Sequence, residues 1–132
     1  DKMLSLEGNS APYMQYTYAR ARSILRKAKT AISSGKIVEN KAEILEKTSQ
    51  LLRTIPKFKE ELIYSAREYK PNLLCQYLYE LAQKFNSFYN SVPVLTANNP
   101  KDRLFRLKVV ESVSQILQNG LALLGVAVVE EM

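Results

Sequence analysis

Apolar positions in this chain recur at helical spacing. Between Ala11 and Ala28, Met14, Tyr18, Ala21, Leu25 and Ala28 repeat at intervals of four and three, with Ile32 in continuation. This is the signature of one buried helix face. Ser10 stands at the N-cap position and Pro12 in the first turn, where its missing N–H costs nothing. The helix is expected to reach about Ser33, with Gly35 as its stop. A second helix begins near Asn40, with Ile44, Leu45, Leu51 and Leu52 facing inward. Pro56 ends it and opens a short third helix with Phe58, Leu62, Ile63 and Ala66 on its apolar side. Pro71 starts the fourth, Asn72 to Ser91, whose stripe is Leu74, Tyr77, Leu78, Leu81, Phe85 and Phe88, and Pro93 terminates it. Past the turn signal Asn98-Asn99-Pro100, a fifth helix runs from Pro100 to Leu124. It buries Leu104, Leu107, Val110, Val113, Ile116 or Leu117, and Leu124, and Gly125 is its C′ glycine. No stretch alternates with period two for long enough to make a sheet. The expectation is an all-α, five-helix bundle.

The first helix carries two further faces. Tyr13, Tyr16, Arg20 and Lys27 fall together, roughly 130° round from the buried stripe at 100° per residue. Arg22, Arg26 and Lys29 occupy the opposite flank. Flat aromatic rings beside a guanidinium and an ammonium suit unstacked bases and phosphates; the same pattern also fits a solvated face whose tyrosines pack on a neighbour. A second aromatic cluster is KFNSFYNSVPVL, residues 84–95. There Phe85 and Phe88 read as core. Tyr89, Asn86 and Asn90 either meet a ligand, since an amide can read a base edge, or weaken and cap the helix end.

Composition narrows the classes. At 132 residues the chain forms one domain, 1–132, with a lead-in over about residues 1–10 and an apolar terminal segment, 126–132. That segment is too apolar to stay solvated at no cost, so Val126, Val128 or Val129 is expected to dock on the bundle. The net charge of +6 favours an anionic partner. Acidic residues concentrate in 39–68, whereas 20–36 is almost purely basic. There is no histidine and a single cysteine, Cys75. The commonest general base and metal ligand are therefore missing, an internal disulfide is excluded, and a reducing compartment fits. The adjacent pairs Glu60-Glu61 and Glu130-Glu131 point about 100° apart on a helix and cannot face one another as an acid and a base. No glycine-rich phosphate loop, signal peptide or apolar run of membrane-spanning length is present. The expectation is a cytoplasmic, non-membrane chain that is not itself a catalyst, with no catalytic residues and no metal. Its first residue, Asp1, suggests a domain of a longer protein.

EGNSAPYMQYTYARARSIL resembles the opening of the C-terminal domain of arginyl-tRNA synthetases, where members typically read E-G-N/D-T-x-P-Y-x-Q-Y-A-H-A/S-R. YLYELAQKFNSFYNSVPVL is similar to the family's fourth-helix block, and ILQNGLALLGVAVVEEM to its ending on Met. The three blocks stand in family order and together extend over the chain. The resemblance implies an anticodon-binding helical bundle of the class named for an Asp-Ala-Leu-Arg motif, although that tetrapeptide is absent here. It implies that Tyr13, Tyr16 and Arg20 take first-helix anticodon contacts, Tyr89 the fourth-helix aromatic contact and Met132 the terminal one. Lys27 and Asn86 join them from the face reading as tRNA-binding candidates. Thr17-Tyr18 departs from the family's histidine position; Tyr18 lies on the buried stripe, so packing rather than recognition is affected. The family's His-Ile-Gly-His and Lys-Met-Ser-Lys-Ser signatures are missing, so no cofactor is expected in this chain and ATP only in the parent enzyme. Implied partners are an arginine-specific tRNA and the parent's catalytic domain, with a monomeric chain. The equivalent domain of another class I synthetase, or a protein-docking bundle with a basic face, are the competing readings.

Overall fold

The computed structural model describes residues 10–30 and 38–132, and these are helical and irregular with no strand among them. The α-helices are α1 (Ala11–Ala28), α2 (Lys41–Thr54), α3 (Phe58–Arg67), α4 (Pro71–Ser91) and α5 (Pro100–Leu123). Ile55–Lys57 forms a 3-10 turn joining α2 to α3. Pro56 thus does not separate two helices as expected. It has no N–H to offer the carbonyl four residues back, and the chain answers by tightening into 3-10 geometry without leaving the helical region at Thr54, Ile55, Lys57 or Phe58. Residues 41–67 are one continuous helical stretch, so the described residues form four helical segments where five were expected, α2 and α3 being joined in one of them. The buried Tyr77 hydroxyl donates to the carbonyls of Thr54 (2.8 Å) and Ile55 (3.1 Å) at this turn. Burial holds the Tyr77 phenol far above the ordinary tyrosine range, so it remains a donor.

Helix α4 is the axis, packing against each of the other four helices. All six residues of its expected stripe are buried, with Leu78, Leu81, Phe85 and Phe88 inaccessible. Replacing either phenylalanine with alanine would cost about 3–5 kcal/mol. Where α4 and α5 cross, Gly120 lets Leu78 approach so closely that a Cβ there would lie 2.6 Å from Leu78 Cδ1.

Local sequence sets most helix ends. Asn40 caps α2 by accepting from the Glu43 amide (3.1 Å), and Asn99 caps α5 by accepting from the Lys101 amide (2.8 Å). Ser10 does not cap α1: its own backbone is helical and its side chain makes no cap bond. Helix α1 ends at Ala28 in a turn at Lys29 and Thr30, while Ile32, Ser33 and Gly35 lie outside the described residues. Gly125 closes α5 with φ +78°. Its amide bonds to Ala122 (3.0 Å), and that of Val126 reaches back to Leu121 (2.8 Å), the double bond of a Schellman end.

Five residues expected inside are exposed: Leu45, Leu52, Ile63, Ala66 and Leu104. Helices α2 and α3 each lie mainly against α4, so one neighbour buries only a narrow stripe of each. On α5 the inward position of the first turns belongs to Arg106, not Leu104. Its guanidinium makes a two-pronged ion pair with Glu39 (3.2 and 3.3 Å) and donates to the Pro93 carbonyl (2.8 Å). Glu39 also accepts from the Asn98 amide (3.1 Å). This pair of a buried arginine and a partly buried glutamate therefore ties the approach to α2, the 92–98 loop and α5.

Candidate nucleic-acid interface

Helix α1 lays its buried stripe against α4 and α5. Met14, Tyr18 and Ala21 are buried as expected, and Thr17 and Ile24 join them. This orientation leaves Tyr16 and Arg20 at the surface beside the last turn of α4. The Arg20 guanidinium lies over two aromatic rings, 5.0 Å from the Tyr16 centroid and 4.4 Å from that of Tyr89. It donates to Asn86 Oδ1 (2.8 Å) and to the Tyr16 hydroxyl (3.1 Å). Tyr16 and Tyr89 remain 47% and 41% exposed, so each ring keeps a free surface.

Asn86 occupies the centre of this arrangement. Besides accepting from Arg20, its amide nitrogen donates to the Tyr13 hydroxyl (3.0 Å) and to Thr17 Oγ1 (2.9 Å). Thr17 in turn donates to the Tyr13 carbonyl (2.8 Å), which explains how a hydroxyl rests in the core without cost. Tyr13 packs on the core and tilts against Tyr79, with ring centroids 5.2 Å apart. The expected residues thus divide into two groups. Tyr16, Arg20, Lys27, Tyr89 and Met132 line one open recess of about 800 Å³, whereas Tyr13 and Asn86 stand behind it and fix Arg20.

The recess has walls that the helical wheel did not supply. Asn90 and the 92–96 loop form one side, held by the buried side chains of Val92 and Val94. Arg26 lines it as well, so the Arg22–Arg26 flank is not remote from the tyrosine face as expected. The cause is the 126–132 segment, which runs along α1. Val126 and Val128 pack against the core, while Val129 stays exposed. Gln15 donates to the Ala127 carbonyl (2.7 Å), and Arg26 to that of Glu130 (3.0 Å). Arg22 pairs with the Glu130 carboxylate (3.2 Å) and Arg26 with that of Glu131 (3.7 Å). The Tyr18 hydroxyl donates to Glu130 (2.9 Å). That bond, with the Arg22 and Arg26 guanidiniums, holds the Glu130 carboxyl below the usual range. Burial, and then the same carboxylate, push the Tyr18 phenol up. These contacts join residues more than a hundred positions apart, and no local pattern announces them.

Among the described residues no group of acidic or cysteine side chains is placed to hold a metal ion, and no helix is long and apolar enough to cross a membrane. What the recess offers is stacking surface, methionine thioether and positive charge.

Comparison with known proteins shows the family. The family model of the DALR anticodon binding domain matches residues 14–132. Arginine–tRNA ligases of Citrobacter koseri and Histophilus somni are 41% and 43% identical over the whole of this chain, which spans 23% of the length of each. The arginyl-tRNA synthetase of Thermus thermophilus superposes with a TM-score of 0.79 at 37% identity, covering 98% of this chain and 22% of that one. With a matching family model over nearly its full length and an all-helical bundle to accompany it, the chain belongs to the DALR anticodon-binding domain family.

Proposed function

We propose that this chain binds the anticodon loop of an arginine-accepting tRNA and serves as the anticodon domain of a cytoplasmic arginine–tRNA ligase. In this reading ATP and arginine are handled by a catalytic domain elsewhere in the parent protein, and the chain acts as a monomer. The observation that carries the proposal is the Arg20 guanidinium lying over both Tyr16 and Tyr89, with neutral hydrogen-bond partners and an open recess in front. Neutral partners leave its charge available to a phosphate, and the half-exposed rings are platforms on which splayed bases stack. Lys27 adds a second cation at the rim, and the flexible, polarizable thioether of Met132 suits a base or ring surface. Tyr13 and Asn86 act from behind by setting the plane of Arg20.

The test is equilibrium binding of arginine-accepting tRNA, with a tRNA of another amino-acid specificity as control, over a salt series. Tyr16→Ala is expected to weaken cognate binding by about 1–3 kcal/mol, the usual range for one lost base–aromatic stack. Equal binding of both tRNAs, or an unchanged affinity in Tyr16→Ala, would overturn the reading.

A further inference from the structure

The 126–132 segment meets α1 along a rail of residues spaced three and four apart: Gln15, Tyr18, Arg22 and Arg26. Such spacing places all four on one helix face. Within the segment, alternate residues turn toward the bundle. Val126 and Val128 fill apolar surface and Glu130 reaches the polar end of the rail, while Ala127 and Val129 face outward. Glu130 is the junction of this contact. One carboxylate oxygen accepts from Tyr18 and the other from Arg22, while its backbone carbonyl accepts from Arg26. Two residues further on, Met132 forms part of the recess wall.

Glu130 also divides the cations of α1 into two classes. Arg22 is matched by its carboxylate, and Arg26 is occupied by its carbonyl and by Glu131. Arg20, on the other side of the helix from Arg22, has only neutral partners among the described residues, and Lys27 is exposed at the rim. An anion approaching α1 is therefore drawn to the side that also carries the tyrosines.

We infer that Glu130 is a specificity-determining positioning residue: it seats Met132 at the recess and withdraws Arg22 from phosphate binding, so that RNA is held where it can be read. This inference rests on the anticodon-loop reading above. Without the carboxylate, two things follow together. Met132 loses its place, which lowers affinity for the cognate tRNA. Arg22 becomes free to neutralise a phosphate, which raises affinity for any RNA and makes binding more sensitive to salt.

The experiment compares the unmodified chain at its full natural length with Glu130→Ala, Arg22→Gln and the double variant. Cognate and non-cognate tRNA affinities are measured over a salt series, with ¹³C-methyl methionine spectra of each protein. In Glu130→Ala, cognate affinity is expected to fall about two- to tenfold, the span of a lost sulfur–aromatic contact. Non-cognate affinity should hold or rise, and the slope of log K against log salt should steepen by about 0.7–0.9, one further phosphate. The Met132 methyl signal should move toward that of an unstructured methionine. Adding Arg22→Gln should restore the salt slope while leaving cognate affinity low, a split that a merely structural role would not produce. An unaltered salt slope and cognate affinity in Glu130→Ala would overturn the inference, as would a parallel loss of both tRNAs with a lowered melting temperature. If the unmodified chain binds no tRNA, the anticodon-loop reading itself fails and takes this one with it; failure confined to the variants leaves that reading standing.

Discussion

Arg106 in α5 and Arg20 in α1 both hold their guanidinium groups with several hydrogen bonds, but the partners differ in kind. Arg106 is 7% exposed and faces a carboxylate, Glu39, through two bonds and a backbone carbonyl through a third. Arg20 faces an amide oxygen, a phenol oxygen and two aromatic rings. The first set cancels the charge and the second only orients it. Arg22 and Arg26 fall between these extremes, being paired with carboxylates yet about one-third exposed, at 33% and 38% of their side chains. A guanidinium whose charge is cancelled holds three segments of chain together. One whose charge is left open is fit to meet an anion, and the difference in partners is the physical basis for assigning the two different roles.

The largest way to break this comparison is to remove Arg106. Arg106→Ala leaves the partly buried Glu39 carboxylate without its partner, and the loss should approach the roughly 3–5 kcal/mol that breaking a buried pair costs. A urea denaturation should show that loss as a lowered midpoint with an unchanged slope. A loss below about 1 kcal/mol would mean that the pair behaves as an exposed one.

How much of this was legible in the sequence depends on how many neighbours each helix has. The stripe of α4 could be read residue by residue because α4 is surrounded, and every large apolar side chain on its broad inner face meets another helix. In α2 the same reasoning placed Leu45 and Leu52 inside, but periodicity reports which residues share a face, not whether a neighbour covers it. On α1 the spacing correctly put Tyr16, Arg20 and Lys27 on one side and Tyr18 in the core. It could not show that Tyr13, on the same arc, spends its ring on Tyr79 and its hydroxyl on Asn86. Nor could it show the Tyr18–Glu130 bond across 112 positions, because α1's second flank becomes a contact only once α5 has turned at Gly125 and returned the chain. The acidic pair at Glu130 and Glu131, which the sequence only excluded as a facing acid and base, proves to be the partner of that flank.

A smaller effect sharpens the contrast through pH. The hydrogen bond from Arg106 holds the Glu39 carboxyl below its ordinary range, assisted by the Asn98 amide. A carboxyl lowered by folding contributes stability that is fully present above its unfolded pKa and fades as pH falls through the folded one. Stability should therefore decline on acidification from just above the ordinary carboxylate range downward. The decline should be less than the loss in Arg106→Ala, because a protonated Glu39 can still hydrogen-bond. Thermal melts of the unmodified chain and Glu39→Gln across that range check this. The variant should begin less stable and show a shallower acid slope; identical slopes would remove Glu39 as the cause. Glu130 shifts in the same direction but is 55% exposed, so solvent and salt screen its share.

The smallest and most discriminating effect belongs to Arg20. Arg20→Lys keeps the positive charge and removes the planar group that lies over both rings and donates to Asn86 and Tyr16. An ammonium is a compact point charge without that fork. If Arg20 only attracted phosphate, lysine would serve equally well. If its plane orders Tyr16 and Tyr89 as platforms, cognate tRNA affinity should fall by about 0.5–1 kcal/mol, the value of a cation–π contact at a partly exposed site. The slope of log K against log salt should stay as it was, since the number of cations available to phosphate has not changed. The melting temperature should hardly move, because surface substitutions usually lie within about 0.5 kcal/mol. An unchanged affinity would mean that the rings keep their places without the guanidinium and that Arg20 is a charge and nothing more, so the contrast with Arg106 would reduce to burial alone. A flatter salt slope would mean that the lysine ammonium no longer reaches a phosphate, and the lost affinity would then belong to the charge rather than to the rings. A weaker complex with an unchanged salt slope is the result that only an oriented, uncancelled guanidinium produces.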